Sequence, residues 1–265
     1  MTDETLLQRI AANKAKLEQL RGRTRDGLSG FEHTQDLELT YTSNAIEGNA
    51  LTAVETTLVI ENGITIGGKP LKDHLEAIDH FAALQYIREL ARQSDPFTER
   101  DVRNLHQLVM LRSDPEEAGQ YARTVRYVLT ETPPGRHYFP APAEIPALMG
   151  GFAGRLRTAP ITPQIAFDAH RELVSIHPFK DANGRTGRLL MNLILLRAGY
   201  PPIAVRPQDR LAYLDALQQA QGSGSAAAFN RLLYERLDTI LEEHLNALRQ
   251  ALLAPPTPSD KRQPR

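Results

Sequence analysis

The chain has 265 residues, is 41% hydrophobic, and sets 31 Lys and Arg against 32 Asp and Glu for a formal net charge of -1. That balance excludes a bulk electrostatic grip on nucleic acid or anionic lipid. The absence of cysteine excludes disulfides, a thiolate nucleophile and Cys-ligated metal centres.

The acidic, amphipathic start from Met1 to Ile10 does not read as a secretory signal, so the expected compartment is the cytoplasm. Leu6, Leu7, Ile10, Leu17 and Leu20 recur at helical spacing until Gly22 punctuates the pattern. Thr34 to Ile46 favours helix and stops at Gly48-Asn49, where glycine can adopt the left-handed conformation that ends helices. Thr52 caps a further helix to Asn62-Gly63. Leu71 to Leu90 carries Leu75, Ile78, Phe81, Ala82, Tyr86 and Ile87 on one stripe, and Thr98 with Asp101 starts a helix running to Leu111. Between Arg123 and Phe139 the period changes: Val125, Tyr127 and Leu129 alternate, and Thr132-Pro133-Pro134-Gly135 predicts the turn of a β-hairpin. Helical signals return after Pro142, from Pro163 to Ile176, from Asn183 to Ala198, after Pro207, and from Ala226 to Leu248. The longest apolar run, Leu189 to Leu196, is far shorter than the ~20 residues of a membrane span. The tail from Pro255 reads as disordered. The expected fold is all-α with one hairpin.

The chemistry concentrates in Ser175-Ile176-His177-Pro178-Phe179-Lys180-Asp181-Ala182-Asn183-Gly184-Arg185-Thr186-Gly187-Arg188, a polar loop between two apolar helices. Pro178 ends the first helix, because the residue before proline is driven out of the α region, and the next helix begins near Asn183. A helix N-terminus offers unpaired N–H groups and partial positive charge, a ready phosphate site that Gly184 leaves open to close approach. Arg185 and Arg188 lie three apart on the new helix, so two guanidinium forks share a face and suit successive phosphates. Asp181 supplies the single carboxylate with which proteins usually hold Mg²⁺ beside substrate phosphates. His177, titrating near neutrality, suits proton abstraction from an attacking hydroxyl. Singly, each of these reads as a cap or a solvated arginine; together they describe phosphoryl or nucleotidyl transfer.

The string resembles the Fic (Fido) signature His-Pro-Phe-x-Asp/Glu-Gly/Ala-Asn-Gly-Arg-x-x-Arg, matched by His177, Pro178, Phe179, Asp181, Ala182, Asn183, Gly184, Arg185 and Arg188. The resemblance spans roughly residues 98–240, with residues 1–97 as a helical region ahead of that domain and 241–265 as a helix end and tail. It implies a Fic helical bundle with a hairpin flap, and transfer of AMP from ATP to a Ser, Thr or Tyr hydroxyl of a target protein. In those terms His177 is the base, Asp181 the Mg²⁺ ligand, Asn183 and the Gly184 amide the α-phosphate holders, Arg185 the β- and Arg188 the γ-phosphate contact. Relatives that transfer the γ-phosphate tend to carry Lys where Gly184 stands. The hairpin around Val125, Arg126, Tyr127 and Val128 is implied as a flap that pairs with an extended target segment, and Tyr213 as a wall for the base.

Ser43-Asn44-Ala45-Ile46-Glu47-Gly48-Asn49 resembles the inhibitory signature Ser/Thr-x-x-x-Glu-Gly/Asn of the same family, in the class that carries its inhibitory helix (here about 35–48) ahead of the domain. Glu47 and Ser43 are four apart and share a helix face. A carboxylate there would take the guanidinium of Arg188 and misplace ATP. Removal of AMP, transfer of another nucleotide, and a non-enzymatic binder working through arginines such as Arg21 to Arg25 are the rival functions. Self-modification and a homodimer stay open; nucleic acid and membrane are not expected partners.

Overall fold

The computed structural model describes residues 2–21, 29–131, 134–222 and 225–253. Ten helices and one hairpin follow in chain order: α1 (Asp3–Arg21), α2 (Ser29–Ile46), α3 (Ala53–Asn62), α4 (Leu71–Ala91), α5 (Glu99–Val109), β1 (Tyr127–Glu131), β2 (Pro134–Tyr138), α6 (Ile145–Thr158), α7 (Pro163–Ile176), α8 (Asn183–Arg197), α9 (Arg210–Gly222) and α10 (Ala227–Leu253). Local chemistry sets several of these limits. Thr52 with Glu55 and Thr98 with Asp101 form reciprocal capping boxes at the starts of α3 and α5, each contributing about 1 kcal/mol. Thr162 caps α7 with Pro163 as its first residue, where the missing proline N–H costs nothing.

Helix α8 is the axis. Its residues from Leu189 to Leu195 are all buried, and α2, α4, α5 and α7 pack around it while α1 lies along α10. One continuous hydrophobic cluster joins Leu6 and Leu17 of α1, Leu39 of α2, Leu84 of α4, Leu190 of α8 and Leu237 of α10. The apolar run that the sequence carries is thus a core helix. No helix among the described residues is long and apolar enough to cross a membrane.

Three departures from the sequence expectations have physical causes. Helix α2 begins at Ser29, five residues before Thr34, because a polar first turn is no obstacle to a helix held by tertiary packing. The apolar stripe expected on α4 is only in part its inward face: Ile87 is buried, but Leu75, Ile78, Phe81, Ala82 and Tyr86 are half-buried, while Asp73, Glu76, Asp79 and His80 are buried alongside Ala77, Ala83, Leu84 and Leu90. Asp79 holds Arg112, Glu76 faces Arg185, and Asp73 accepts from Ala50 N–H, so burial is repaid by ion pairs and hydrogen bonds rather than by apolarity. Strand β1 starts at Tyr127, in register with Tyr138, so Val125 and Arg126 stand ahead of the strand rather than in it. Thr132 and Pro133 of the expected turn, Gly22 to Arg25, and the tail from Pro255 lie outside the described residues.

Candidate active site

Helix α7 ends on a strained residue. His177, its C-cap, adopts φ 51° and ψ 55°, the left-handed region that a residue before proline ordinarily avoids in favour of extended backbone. Its N–H still reaches Leu173 O at 2.9 Å. Ala182, at φ 57°, is the second non-glycine residue in this region. Such conformations cost about 1–3 kcal/mol each and persist only where surroundings over-determine them. Here the loop is clamped from three sides. The Asn183 amide takes Phe179 N–H (3.0 Å) and donates back to Phe179 O (2.9 Å). Phe179 stacks flat on His106 at 3.7 Å, and Ala122 N–H donates to Pro178 O.

His106 escaped the sequence reading, which gave it no role. Gly119 N–H donates to its Nδ1 (2.9 Å) and its Nε2 faces Asp181 O (3.2 Å), so the ring is a neutral bridge from α5 to the loop. Burial lowers its pKa to about 4. No motif spacing links residue 106 to residue 179; only packing of α5 on α8 does.

The Asn183 side chain is buried, and its amide accepts one hydrogen bond from Phe179 and donates one back, so it staples the loop while its backbone N–H stands at the start of α8. Thr186 is the first α8 residue to donate along the helix, to Ala182 O, which leaves the amides of residues 183–185 at the orphaned helix start. Asp181 Oδ1 accepts from Ala182 N–H at 2.6 Å. Partial burial pushes its pKa up, but that hydrogen bond, Arg185 and Lys72 outweigh it, and the carboxyl sits below its ordinary range.

His177 is stacked on Phe139 at 3.8 Å. Burial lowers its pKa to about 4, further depressed by Arg126 and opposed by Val174 O, Glu47 and Asp181. Its Nδ1 faces Val174 O at 3.3 Å; a carbonyl only accepts, so Nδ1 carries the proton and Nε2 keeps its lone pair. That is the form a general base needs.

Both arginines are buried, Arg185 at 2% and Arg188 at 5% exposure, which disposes of the reading in which they face water. Arg188 Nη2 donates to Glu47 Oε1 (2.7 Å) and to Ser43 O (2.8 Å), and Nε donates to Ser43 Oγ (3.0 Å). Burial lowers the Arg188 pKa, but Glu47 and Tyr213 raise it beyond its usual value. Glu47 lies just past α2, in a turn closed by Gly48 at φ 95°. Its carboxylate presses on Gly184: a Cβ there would stand 2.3 Å from Glu47 Oε1. Arg185 pairs with Glu76 Oε1 at 3.1 Å and approaches Asp181 Oδ1 at 3.8 Å.

These groups open on a cavity of 330 Å³ lined by Glu47, His177, Gly184, Arg188 and Tyr213, with Val128 and Phe139 at the hairpin end. Helix α9 adds Leu214, Leu217, Gln218 and Gln221, a wall the motif could not indicate. Tyr213 is itself buried, and its hydroxyl is shared with His170 Nε2 at 2.5 Å. Tyr127, Val128 and Tyr138 of the hairpin are exposed. Arg126 is not: it is buried and donates to Pro140 O, so it anchors the hairpin base instead of offering itself to a partner, and the exposed Val125 lies outside the strand.

No three His, Asp or Glu side chains converge as a metal cage among the described residues. Asp181 presents one carboxylate, half exposed, while that of Glu47 is held on Arg188, a donor set that suits an ion completed by phosphate oxygens and water.

Residues 96–195 match the Fic/DOC family. The chain belongs to that family. Proteins named "Protein adenylyltransferase Fic" from Culex quinquefasciatus and Nematostella vectensis are 36% and 37% identical, over 83% and 77% of this chain. The chain spans 43% and 48% of those relatives' lengths. Among solved structures, a Fic domain-containing signalling protein from Bacteroides thetaiotaomicron is 28% identical with a TM-score of 0.82, covering 91% of this chain and 97% of that one. Fic-1 (aa134–508) from C. elegans aligns at 28% identity and TM-score 0.80, covering 92% and 72%. The fold is therefore the Fic helical bundle with one hairpin.

Proposed function

We propose that this protein transfers AMP from ATP to a hydroxyl side chain of a target protein, and that the arrangement described above is its braked state. The observation that carries the reading is the convergence of a neutral His177, the α8 N-terminus at Gly184 and the buried Arg188 on one cavity, with the Glu47 carboxylate on Arg188. The relatives' name supports the activity.

His177 Nε2 takes the proton from the target hydroxyl, whose oxygen bonds to the α-phosphorus as the bond to the β-phosphate bridging oxygen breaks and pyrophosphate leaves. The amides at the start of α8 hold α-phosphate oxygens, Arg185 the β-phosphate and Arg188 the γ-phosphate. Asp181 would hold Mg²⁺, which supplies charge neutralisation of the phosphates. The exposed edge of the hairpin, with Tyr127 and Val128, pairs with an extended segment of the target and brings its hydroxyl to His177. With Glu47 on Arg188, the γ-phosphate has no seat, and ATP cannot settle with its α-phosphate in line.

The test is incubation of wild type, Glu47→Gly, and Glu47→Gly with His177→Ala, each with α-³²P-ATP, Mg²⁺ and cell extract, followed by gel autoradiography. Glu47→Gly is expected to raise protein labelling at least tenfold. Adding His177→Ala is expected to lower it about 10²–10⁴-fold, the usual worth of a general base. An unlabelled Glu47→Gly reaction would overturn AMP transfer and turn the reading toward removal of AMP.

A further inference from the structure

Arg185 is held by a carboxylate of its own, and that carboxylate comes from α4. Glu76 Oε1 lies 3.1 Å from Arg185 Nη1. Its other oxygen, Oε2, accepts from Asn49 Nδ2 at 3.1 Å, while the same Asn49 amide also donates to Asp73 O. Lys72, one turn earlier on α4, stands 3.5 Å from Glu76 and 3.6 Å from Asp181. Glu76 is 8% exposed as a residue and belongs to the polar inward face of α4, a face that no apolar periodicity announces.

Three features make this more than a stray ion pair. Arg185 sits between two acids, with Asp181 at 3.8 Å on one side and Glu76 on the other. Opposite charges attract across either gap, so without Glu76 the guanidinium would close on Asp181 and neutralise the carboxylate that a cation needs. Next, Arg185 keeps unspent donors: its Nε and Nη1 are buried and make no hydrogen bond within the protein, even though Nη1 is in ion-pair range of Glu76. A buried guanidinium left short of hydrogen bonds is suited to an incoming anion. Finally, Asn49 belongs to the turn that follows Glu47, so Glu76 is tied to the brake without occupying the cavity; Glu76 and Arg185 both lie behind the cavity wall, which Glu47 and Arg188 line.

We infer that Glu76 is a positioning residue for Arg185: it holds the guanidinium away from Asp181 and aimed at the β-phosphate of a nucleoside di- or triphosphate. The inference rests on the nucleotide-transfer reading above. Glu76 itself touches no substrate and acts through Arg185.

The experiment uses the full chain in the Glu47→Gly background, where the γ-phosphate seat is open, and measures binding of ATP, ADP and AMP by titration calorimetry with Mg²⁺. Glu76→Gln is expected to weaken ATP and ADP about tenfold and to leave AMP, which has no β-phosphate, unchanged. A general loosening of the fold would weaken all three alike, and that outcome, or unchanged ATP affinity, overturns the inference. Since removing one charge of a buried pair can cost stability, Arg185→Gln alone and with Glu76→Gln are compared as well, the second lacking both charges. The two are expected to bind all three nucleotides equally, because Glu76 has nothing left to position; a further loss of ATP in the double variant would overturn the assignment. Failure of the parent Glu47→Gly protein to bind any nucleotide would overturn both readings, whereas a parent that binds and a silent Glu76→Gln would overturn only this one.

Discussion

The two arginine–carboxylate pairs on α8 look alike and sit in opposite circumstances. Arg188 meets Glu47, whose side chain is 40% exposed and faces the cavity; Arg185 meets Glu76, whose side chain is 11% exposed and is held by Asn49. An exposed carboxylate at the end of a flexible side chain exchanges for a phosphate at modest cost, because water solvates it when it leaves. A buried, hydrogen-bonded one does not exchange, since departure strands it without compensation. Identical chemistry is thus the basis on which we propose a removable brake at one arginine and a fixed mount at the other. The largest expected effects follow from this contrast and have opposite signs: Glu47→Gly raises labelling at least tenfold, and Glu76→Gln lowers ATP affinity about tenfold.

The pairs also share an acid-sensitive surrounding. His80 is pushed down to about 3 by burial and then by Arg188 and Arg185; His170 goes to about 3 by burial and Arg188. His106, His177 and His244 fall to about 4, each chiefly through burial. The unfolded chain binds protons near pH 6.5 that the folded chain refuses until about 4 or 3. Stability is therefore fully present above about pH 6.5 and lost as pH falls through that window, by about 1.4 kcal/mol per unit for each histidine. Urea unfolding at pH 7.5 and 5.5 is expected to differ by several kcal/mol, about 1 from each of the five. An equal midpoint at both pH values would show that these rings are not held neutral. For the same reason labelling by Glu47→Gly is expected to show no inflection near pH 6.5, since His177 is already deprotonated there.

What the sequence could tell followed the physics of each signal. Caps are local, so Thr52 and Thr98, and Pro163 as a first helical residue, mark helix starts that packing then respects. The motif from His177 to Arg188 is contiguous, so its residues converge wherever the loop goes, and Ser43 with Glu47 was legible by its spacing. The loop-stapling bonds of the Asn183 side chain to Phe179 were not legible, because an asparagine at a helix start serves a ligand or a loop equally well until its partners are seen. The hairpin boundary was blurred because Val125 continues the alternation before any strand pairing begins. His106 and Glu76 were silent for a different reason: each acts across more than 70 residues of chain, through helix packing that leaves no periodic trace. On α4 the apolar stripe found Ile87 but missed the rest of the inward face, since that face mixes apolar Ala83, Leu84 and Leu90 with charged Asp73, Glu76 and Asp79 and so breaks the apolar period.

The smallest expected effect separates the two pairs most cleanly. A Cβ on Gly184 would meet Glu47 Oε1 first, with Arg188 Nη1 at 3.1 Å and Glu47 Cδ at 3.3 Å as its next nearest neighbours. Glu47 must yield, because its carboxylate is the free end of a side chain whereas α8 is the core of the fold. Gly184→Ala is therefore expected to cost about 1 kcal/mol through the loosened hydrogen bond to a charged group. In the Glu47→Gly background the clash with the carboxylate is gone and only the Arg188 Nη1 end, freed of Glu47, has to give by a few tenths of an ångström, so the same substitution then gains the helix preference of alanine over glycine, about 0.5–1 kcal/mol near a helix end. The sign of the effect reverses with Glu47 and with nothing else: against Glu76→Gln, Gly184→Ala is expected to add within about 0.5 kcal/mol, as independent sites do. Chemical denaturation of these variants settles it. A cost that stays the same without Glu47 would mean that the carboxylate does not rest on the α8 N-terminus, and that the brake at Arg188 works from some other position.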